Sequence, residues 1–378
     1  MKWSFRVATI MGIPIYIHLT FLIILPVFAW VFSVQSQTVL GLPVGFGVVD
    51  LAFMGTLAAA IVKFLMGALA AIIFFACILL HELGHSYVAL RYKSKIRGIV
   101  LIIFGGIAQV EDMPRRPKPE LDIALAGPSV NFGIAAMGFG LLQVPLWTAS
   151  KPLELLAALL GIVTFYNLVL ALFNLIPAFP MDGGRVLRSF LARRMSYLNA
   201  TETAASVGKA FAFAFGIFGL FYNAWLILIA LFVYLGATEE ERLTKITLTL
   251  EGVKVGEIMT REVSTVTKEM TVAELLDKMV AEKHMGYPVV DGDLEGVVTF
   301  ADSSKVPRER REHVRVGQIM SGNVVTVGPR AEAMDALRLM SRHKIGRLVV
   351  TQEGQIIGII TRSDLVKSVD LLRVRKGI

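Results

Sequence analysis

A nearly continuous run of apolar residues from 13 to 237 constrains this chain more than any other feature. Over all 378 residues, 55% are hydrophobic and 18% are charged, whereas soluble domains carry about 45–50% apolar and about 25% charged residues. The remaining C-terminal part has an ordinary soluble composition. We therefore expect a membrane domain (1–237), a linker (238–252) and a soluble module (253–378).

Several apolar segments approach the length of about 20 residues that a helix needs to cross a bilayer. We expect a polytopic α-helical domain with about six spans: 13–33, 62–88, 121–144, 153–176, 204–219 and 221–237. The first run is too long for a signal peptide and lacks a cleavage site. The stretch 41–60 is apolar but rich in Gly and Val, and it stays unassigned.

The basic residues alternate along the connections between these spans. They cluster before the first span and after the second and fourth, whereas 34–52 has none and 145–152 has only Lys151. Because cytosolic loops carry the excess of Lys and Arg, we expect a multi-pass protein of the cell membrane with both termini in the cytosol. This distribution also explains the net charge of +8, so no nucleic-acid partner is expected.

The second predicted span ends with a pattern suited to metal catalysis, His81-Glu82-Leu-Gly-His85. Residues four apart share one helix face, separated by about 6 Å of rise. Two imidazoles placed in this way can share one Zn²⁺, with Glu82 beside them to take a proton from water. Ionisable groups in an apolar helix are costly without partners, which favours a functional site over a polar cluster outside the membrane edge.

A catalytic zinc usually keeps three protein ligands and one open position. Asp182 is the best third candidate, because Pro177 and Pro180 end the fourth helix before it and two glycines follow it. Alone, it could equally cap a turn; beside the histidines, the ligand interpretation is favoured. Cys77 lies one turn before His81 but ranks lower, since a lone Cys in an apolar helix is usually a small core residue.

Two other polar residues of the apolar region, Asn174 and His18, each have two possible roles. The Asn174 amide could donate to the oxyanion of a tetrahedral intermediate or satisfy backbone groups freed by Pro177; we favour the catalytic role. His18 could line the cleft or bond a neighbouring carbonyl. Asn131 and Asn167 are expected to form interhelical hydrogen bonds.

Together these motifs resemble the site-2 protease family of intramembrane zinc metalloproteases. The resemblance covers roughly residues 1–237 and rests on three separated motifs in order: His81–His85, Gly127–Asn131 and Asn174–Gly183. It implies one zinc ion held by His81, His85 and Asp182, with Glu82 as the base. It also implies a substrate that is itself a membrane-spanning protein.

The principal alternative is a membrane transporter or channel with a regulatory module. That alternative predicts ionisable residues along a path across several spans, whereas here they gather at one end. A scaffold with a degenerate metal site is a second alternative. Glu82 argues against it, because a structural zinc site needs no base.

The run Leu101–Ala108 is β-prone beside a double glycine. A substrate helix must unwind before attack, because its carbonyls are bonded internally. One hypothesis is therefore a membrane-dipping hairpin whose edge pairs with the unwound substrate. An ordinary cytosolic hairpin is equally compatible with the pattern.

The soluble module contains an internal repeat. Val255–Met259 recurs as Val316–Met320, and the copies cover about 253–305 and 314–367. The hydrophobic pattern of each copy predicts the order strand–helix–strand–strand–helix. The module resembles an α/β tandem pair of CBS domains.

That resemblance implies binding of ATP, ADP or AMP, with Asp302 and Asp364 on ribose hydroxyls and Thr299 and Thr361 near ribose or phosphate. Carboxylates and hydroxyls suit those contacts chemically. The alternative is that the aspartates cap helices and that the module serves to form a homodimer. Regulation of the membrane domain by nucleotide is a further hypothesis.

Overall fold

The computed structural model describes four ranges of the chain: 3–103, 105–110, 114–145 and 147–376. The chain divides into two compact units, Met1–Glu241 and Arg242–Ile378. Their boundary lies inside a helix, within the segment 238–252 that was predicted as a linker.

The first unit combines long helices with a small sheet. Its strands are β1 (Ser4–Ile10), β2 (Ile13–His18), β3 (Thr38–Val39), β4 (Leu42–Pro43), β5 (Ile96–Ile102) and β6 (Gly105–Val110). Its helices are α1 (Leu19–Val34), α2 (Thr56–Arg91), α3 (Pro117–Leu142), α4 (Lys151–Asn174), α5 (Asp182–Leu191), α6 (Tyr197–Phe221) and α7 (Ala224–Leu250), the last of which runs on past the boundary.

Among the described residues, four helices are long and apolar enough to cross a membrane: α2, α3, α4 and α6. The predicted first span, 13–33, is wrong at its start, because a helix begins only at Leu19 and has 16 residues. Residues 13–18 form β2 instead, with Ile13 and Ile15 buried on one face. Their alternating β-branched pattern favours a strand.

The unassigned stretch 41–60 is part of the membrane domain's core. It contains β4, two short 3₁₀ turns and the start of α2. Phe46, Val49 and Leu51 are buried in one cluster with Phe32 of α1 and Phe74 of α2. Apolar contacts therefore hold this segment against the first two helices.

A four-stranded sheet, in the order β1-β2-β5-β6, lies beside the histidine end of α2. The central β2–β5 pair is parallel and the outer pairs are antiparallel. Ile15 and Ile99 of the sheet are buried with Leu83 of α2. The predicted 101–108 hairpin is confirmed, although Phe104 lies outside the described residues, and β6 is an edge strand in the described part of the chain.

The segment predicted as a linker, 238–252, is helical as far as Leu250. Its charged residues are good helix formers, so α7 continues beyond its apolar part. Two of them are also paired: Glu240 with Arg188 and Glu241 with Lys209, each at 2.7 Å. These ion pairs hold the continued helix.

The second unit alternates short helices and strands. Its helices are α8 (Val255–Ile258), α9 (Val272–Glu282), α10 (Phe300–Ser303), α11 (Val316–Ile319), α12 (Ala333–His343) and α13 (Arg362–Lys376). Its strands are β7 (Gly286–Asp291), β8 (Asp293–Thr299), β9 (Thr326–Val327), β10 (Arg347–Gln352) and β11 (Gln355–Thr361).

The two sequence repeats of this unit are also structural repeats that exchange their first helices. Val255, from the start of the first repeat, is buried in a cluster with Met340 of the second. Val316, from the start of the second, is buried with Leu275 and Tyr287 of the first. Because each core contains a segment of the other repeat, neither half is complete alone.

Candidate metal centre

His81 and His85 lie on one face of α2 and point into the protein. Their Nε2 atoms are 3.0 Å apart. Both residues are buried, at 4% and 8% exposure. The local helix period is sufficient to explain this pairing.

Asp182 meets the two histidines from a different part of the chain. Helix α4 ends at Asn174, and the backbone turns so that Asp182 opens α5. Its Oδ2 lies 3.2 Å from Nε2 of His81 and 3.0 Å from Nε2 of His85. Ligands bound to tetrahedral zinc at about 2.0–2.1 Å lie about 3.3 Å from one another. The structure thus brings the three predicted ligands together at spacings that suit zinc.

The outer nitrogen of each imidazole is also held. His81 Nδ1 is hydrogen-bonded to Oδ1 of Asn131, whose Nδ2 donates to Asn167 at 2.6 Å. His85 Nδ1 donates to the backbone oxygen of Ile123 at 2.6 Å. Donation from Nδ1 leaves the Nε2 lone pairs for a metal. Asn131 and Asn167 were expected to form interhelical hydrogen bonds, and they do so with each other. The link from Asn131 to His81 was missed, although a buried amide in an apolar helix was an available signal.

Gly127 of α3 faces the two histidines, and its lack of a side chain leaves space for a metal ion. A Cβ at this position would lie 2.6 Å from His81 Nε2 and closer still to His85 Nε2. The absence of a side chain keeps open the space between the donor atoms. A nitrogen–nitrogen–carboxylate donor set around an open space fits zinc.

The site opens into a cavity of about 720 Å³. Its lining includes Glu82 next to the histidines, strand β6 and the part of α7 that contains Phe232 and Glu239. A Cβ at Gly106 of β6 would lie 2.5 Å from Cγ of Glu82. The sheet edge therefore passes directly against the candidate base.

Asn174 also lines this cavity. Its Nδ2 donates to the backbone oxygen of Leu170, one turn back on α4, at 3.0 Å. That bond uses one of the two amide hydrogens. His18 instead caps α1 by accepting from the Thr20 N–H at 3.3 Å, and Cys77 is buried one turn before His81.

Burial raises the pKa of the Asp182 carboxyl, but its contacts with the imidazoles of His81 and His85 outweigh burial and hold that pKa below its usual range. Nearby Arg185 lowers it further. The carboxyl is thus held in the charged form that binds a cation.

In the second unit, the four predicted nucleotide residues form two helix caps. Thr299 Oγ1 donates to Asp302 Oδ2 at 2.6 Å, and the Thr299 N–H donates to the same oxygen at 3.1 Å. Thr361 and Asp364 repeat this arrangement at 2.8 and 2.9 Å. In each cap the threonine occupies the N-cap position and the aspartate follows three residues later. Asp302 also lines a cavity of about 490 Å³.

Comparison with known proteins agrees with this geometry. The model of peptidase family M50 matches residues 69–148 and 147–215. A zinc metalloprotease of Methanocaldococcus jannaschii is 33% identical over all of this chain and 99% of its own length. The chain belongs to peptidase family M50. The CBS domain model matches residues 255–302 and 316–371, so this M50 zinc metalloprotease carries two CBS domains.

Two further relatives of the M50 chain extend over much of its length. Rip3 of Mycobacterium tuberculosis is 31% identical over 99% of this chain and 95% of its own. The solved structure of a site-2 protease from Methanocaldococcus jannaschii is 37% identical, over 63% of this chain and 95% of that one, with a TM-score of 0.41. The family model and the two curated metalloprotease relatives confirm the predicted family resemblance.

Proposed function

We propose that this M50 protease cleaves membrane-spanning helices at a zinc ion held by His81, His85 and Asp182. The observation that carries the proposal is the convergence of three buried donor atoms, from α2 and α5, around the space left by Gly127. Zinc bound there would polarise the scissile carbonyl and lower the pKa of water to about 7.

The chain's own groups would then move the protons. Glu82, in the same cavity, accepts the proton of the attacking water and passes it to the leaving amine. The Asn174 amide donates to the oxyanion of the tetrahedral intermediate. Both side chains line the space beside the three donor atoms, which supports these roles.

The proposed topology has six membrane crossings, formed by the four long helices together with α1 and the apolar part of α7. Six crossings leave both termini on one side, and the basic loops assign that side to the cytosol of a cell membrane. The metal centre then lies toward the cytosolic ends of α2 and α4. Water for hydrolysis reaches it from that side.

Substrate unwinding is proposed to occur along β6. Peptide bonds inside a helix are protected by their own hydrogen bonds, so an extended partner is needed to hold the opened segment. The edge strand β6 lines the cavity through Gly106, Ala108 and Val110. A substrate paired with this edge would pass close to Glu82.

The direct test uses the purified full-length protein in liposomes with a single-span substrate helix. We expect a cut inside the span, blocked by a zinc chelator and restored by added zinc. Ion or solute flux without any cut would favour the transporter alternative and contradict the proposal.

Cross-linking tests the edge pairing once the cut has been mapped. A cysteine at Ala108 of β6, in an uncleaving Glu82→Gln background, should form a disulfide with a cysteine beside the scissile bond. Thr9→Cys, on β1 at the opposite edge of the same sheet, is the matched control and should form none. Equal cross-linking from the two edges would exclude specific pairing.

The CBS domains are proposed to bind an adenine nucleotide and thereby to regulate cleavage. Asp302 shares its cavity with Lys305 and Arg310, and cationic side chains suit a phosphate group. Capping uses Oδ2 of each aspartate. The second oxygen of Asp302 accepts from Lys305 Nζ at 3.5 Å, so a ribose hydroxyl would take the place of that exposed ammonium. A homodimer formed through these domains is part of the same proposal.

Adding ATP, ADP or AMP to the liposome assay tests regulation. A ligand changes activity when it binds two states of the protein differently. Identical cleavage rates with and without saturating nucleotide would contradict the regulatory role and leave the protease proposal unaffected.

A further inference from the structure

A buried ion cluster lies behind the metal centre, around Arg188 of α5. Glu120 Oε1 accepts from Arg188 Nε at 2.7 Å and lies 2.6 Å from Nη2. Glu240 Oε1 accepts from Nη1 at 2.7 Å. The rings of Phe179 and Tyr197 each lie 4.9 Å from the guanidinium carbon.

The Glu120–Arg188 pair is deeply buried, with Arg188 at 3% and Glu120 at 0% exposure. Within the described part of the chain, the second carboxylate oxygen of Glu120 is buried without a hydrogen-bond partner. Desolvating such charges often costs as much as their attraction returns. Overall stability is therefore a weak explanation for this cluster, and a geometric role is a better one.

Helix α3 connects this cluster with the histidines. Residues three or four apart share one face of a helix. Four residues of α3 are spaced in this way: Glu120, Ile123, Gly127 and Asn131. Asn131 holds His81, Ile123 holds His85 and Gly127 leaves the central space. Glu120 extends the same face to α5, the helix that begins with Asp182.

Helix α5 is short, so fixing Arg188 near its end also fixes Asp182 at its start. Arg188 follows Asp182 by six residues, about 9 Å along the axis. Next to it, Ser189 Oγ donates to the Pro117 oxygen at the start of α3 at 2.5 Å. The far end of α5 is thus attached to the helix that orients both imidazoles.

We propose that the Glu120–Arg188 pair is a positioning device that sets Asp182 at bonding distance from His81 and His85. The inference rests on the proposed zinc site and explains how Asp182 is held in place there. Glu240 joins α7 to the same guanidinium, so three helices meet at Arg188. Among the described residues that line the cavity at the donor atoms, neither Glu120 nor Arg188 is found.

The test measures metal binding by the full-length protein in detergent, using Arg188→Met, Glu120→Gln and the double variant. Zinc affinity, from competition with a chelator, should fall about 10–100-fold in all three, as for other residues that orient metal ligands. The visible absorption spectrum of bound Co²⁺ should also change. Lys209→Met, which breaks the Lys209–Glu241 pair between α6 and α7, is the control and should keep both properties.

The double variant separates positioning from folding. It leaves neither partner of the pair charged, so its thermal midpoint should recover relative to Arg188→Met, because an unpaired buried carboxylate is the costlier state. Its zinc affinity should stay low. Wild-type affinity and an unchanged Co²⁺ spectrum in the double variant would overturn the inference while leaving the zinc site in place. A wild-type protein that binds no zinc would instead refute the proposed function itself.

Discussion

Glu82→Gln is expected to lower the rate of cleavage of a membrane-helix substrate by about 10²–10⁴-fold, the range for loss of a general acid–base group. Glutamine has nearly the same shape as glutamate but cannot take a proton from water. Zinc content should stay at the wild-type level, because the three donor atoms come from His81, His85 and Asp182. Cleavage in liposomes and metal analysis of the same preparation are the two measurements.

Glu154→Gln is the matched control for this change. Glu154 is a carboxylate of the same unit that pairs with Lys151 in the first turn of α4, and its replacement should leave cleavage unchanged. His81→Ala should differ from both, losing metal as well as activity. Normal cleavage by Glu82→Gln would remove Glu82 from the mechanism, and loss of zinc in that variant would make it a ligand instead.

Gly127→Ala is expected to lower zinc affinity more than roughly 100-fold. Roughly 100-fold is the upper end of the effect of removing a residue that only orients metal ligands. The added methyl would occupy the space between the Nε2 atoms of His81 and His85. Both imidazoles are held from behind, by Asn131 and by Ile123, so they cannot move aside together without breaking those bonds. Zinc affinity, measured against a competing chelator, tests this.

Gly133→Ala provides a control on the same helix. A Cβ at Gly133 would meet none of the described residues within 4 Å, and alanine favours a helix by about 1 kcal/mol over glycine at either position. Gly133→Ala should therefore bind zinc like the wild type. Because helix propensity changes equally in both variants, zinc binding by Gly127→Ala at wild-type affinity would show that the metal lies elsewhere.

The parts of this protein that depend on short-range periodicity could be predicted from its sequence. The spacing of His81 and His85 puts both on one face of any helix, and the long apolar segments need a bilayer whatever their packing. The soluble repeat was visible because residues recur at a fixed distance. The helix start at Leu19 was missed, because a short apolar run such as 13–18 suits a strand or a helix equally well.

What only the tertiary structure decided is which distant groups meet. Asp182 lies 101 residues from His81, and the sequence could nominate it but not measure its distance. The support of His81 by Asn131 and the burial of Arg188 against Glu120 depend on how α3 packs against α2 and α5. The passage of β6 beside Glu82 depends on how the sheet packs against α2. Local sequence determines secondary structure through backbone geometry, whereas contacts between helices arise from the packing of whole surfaces, which no single segment encodes.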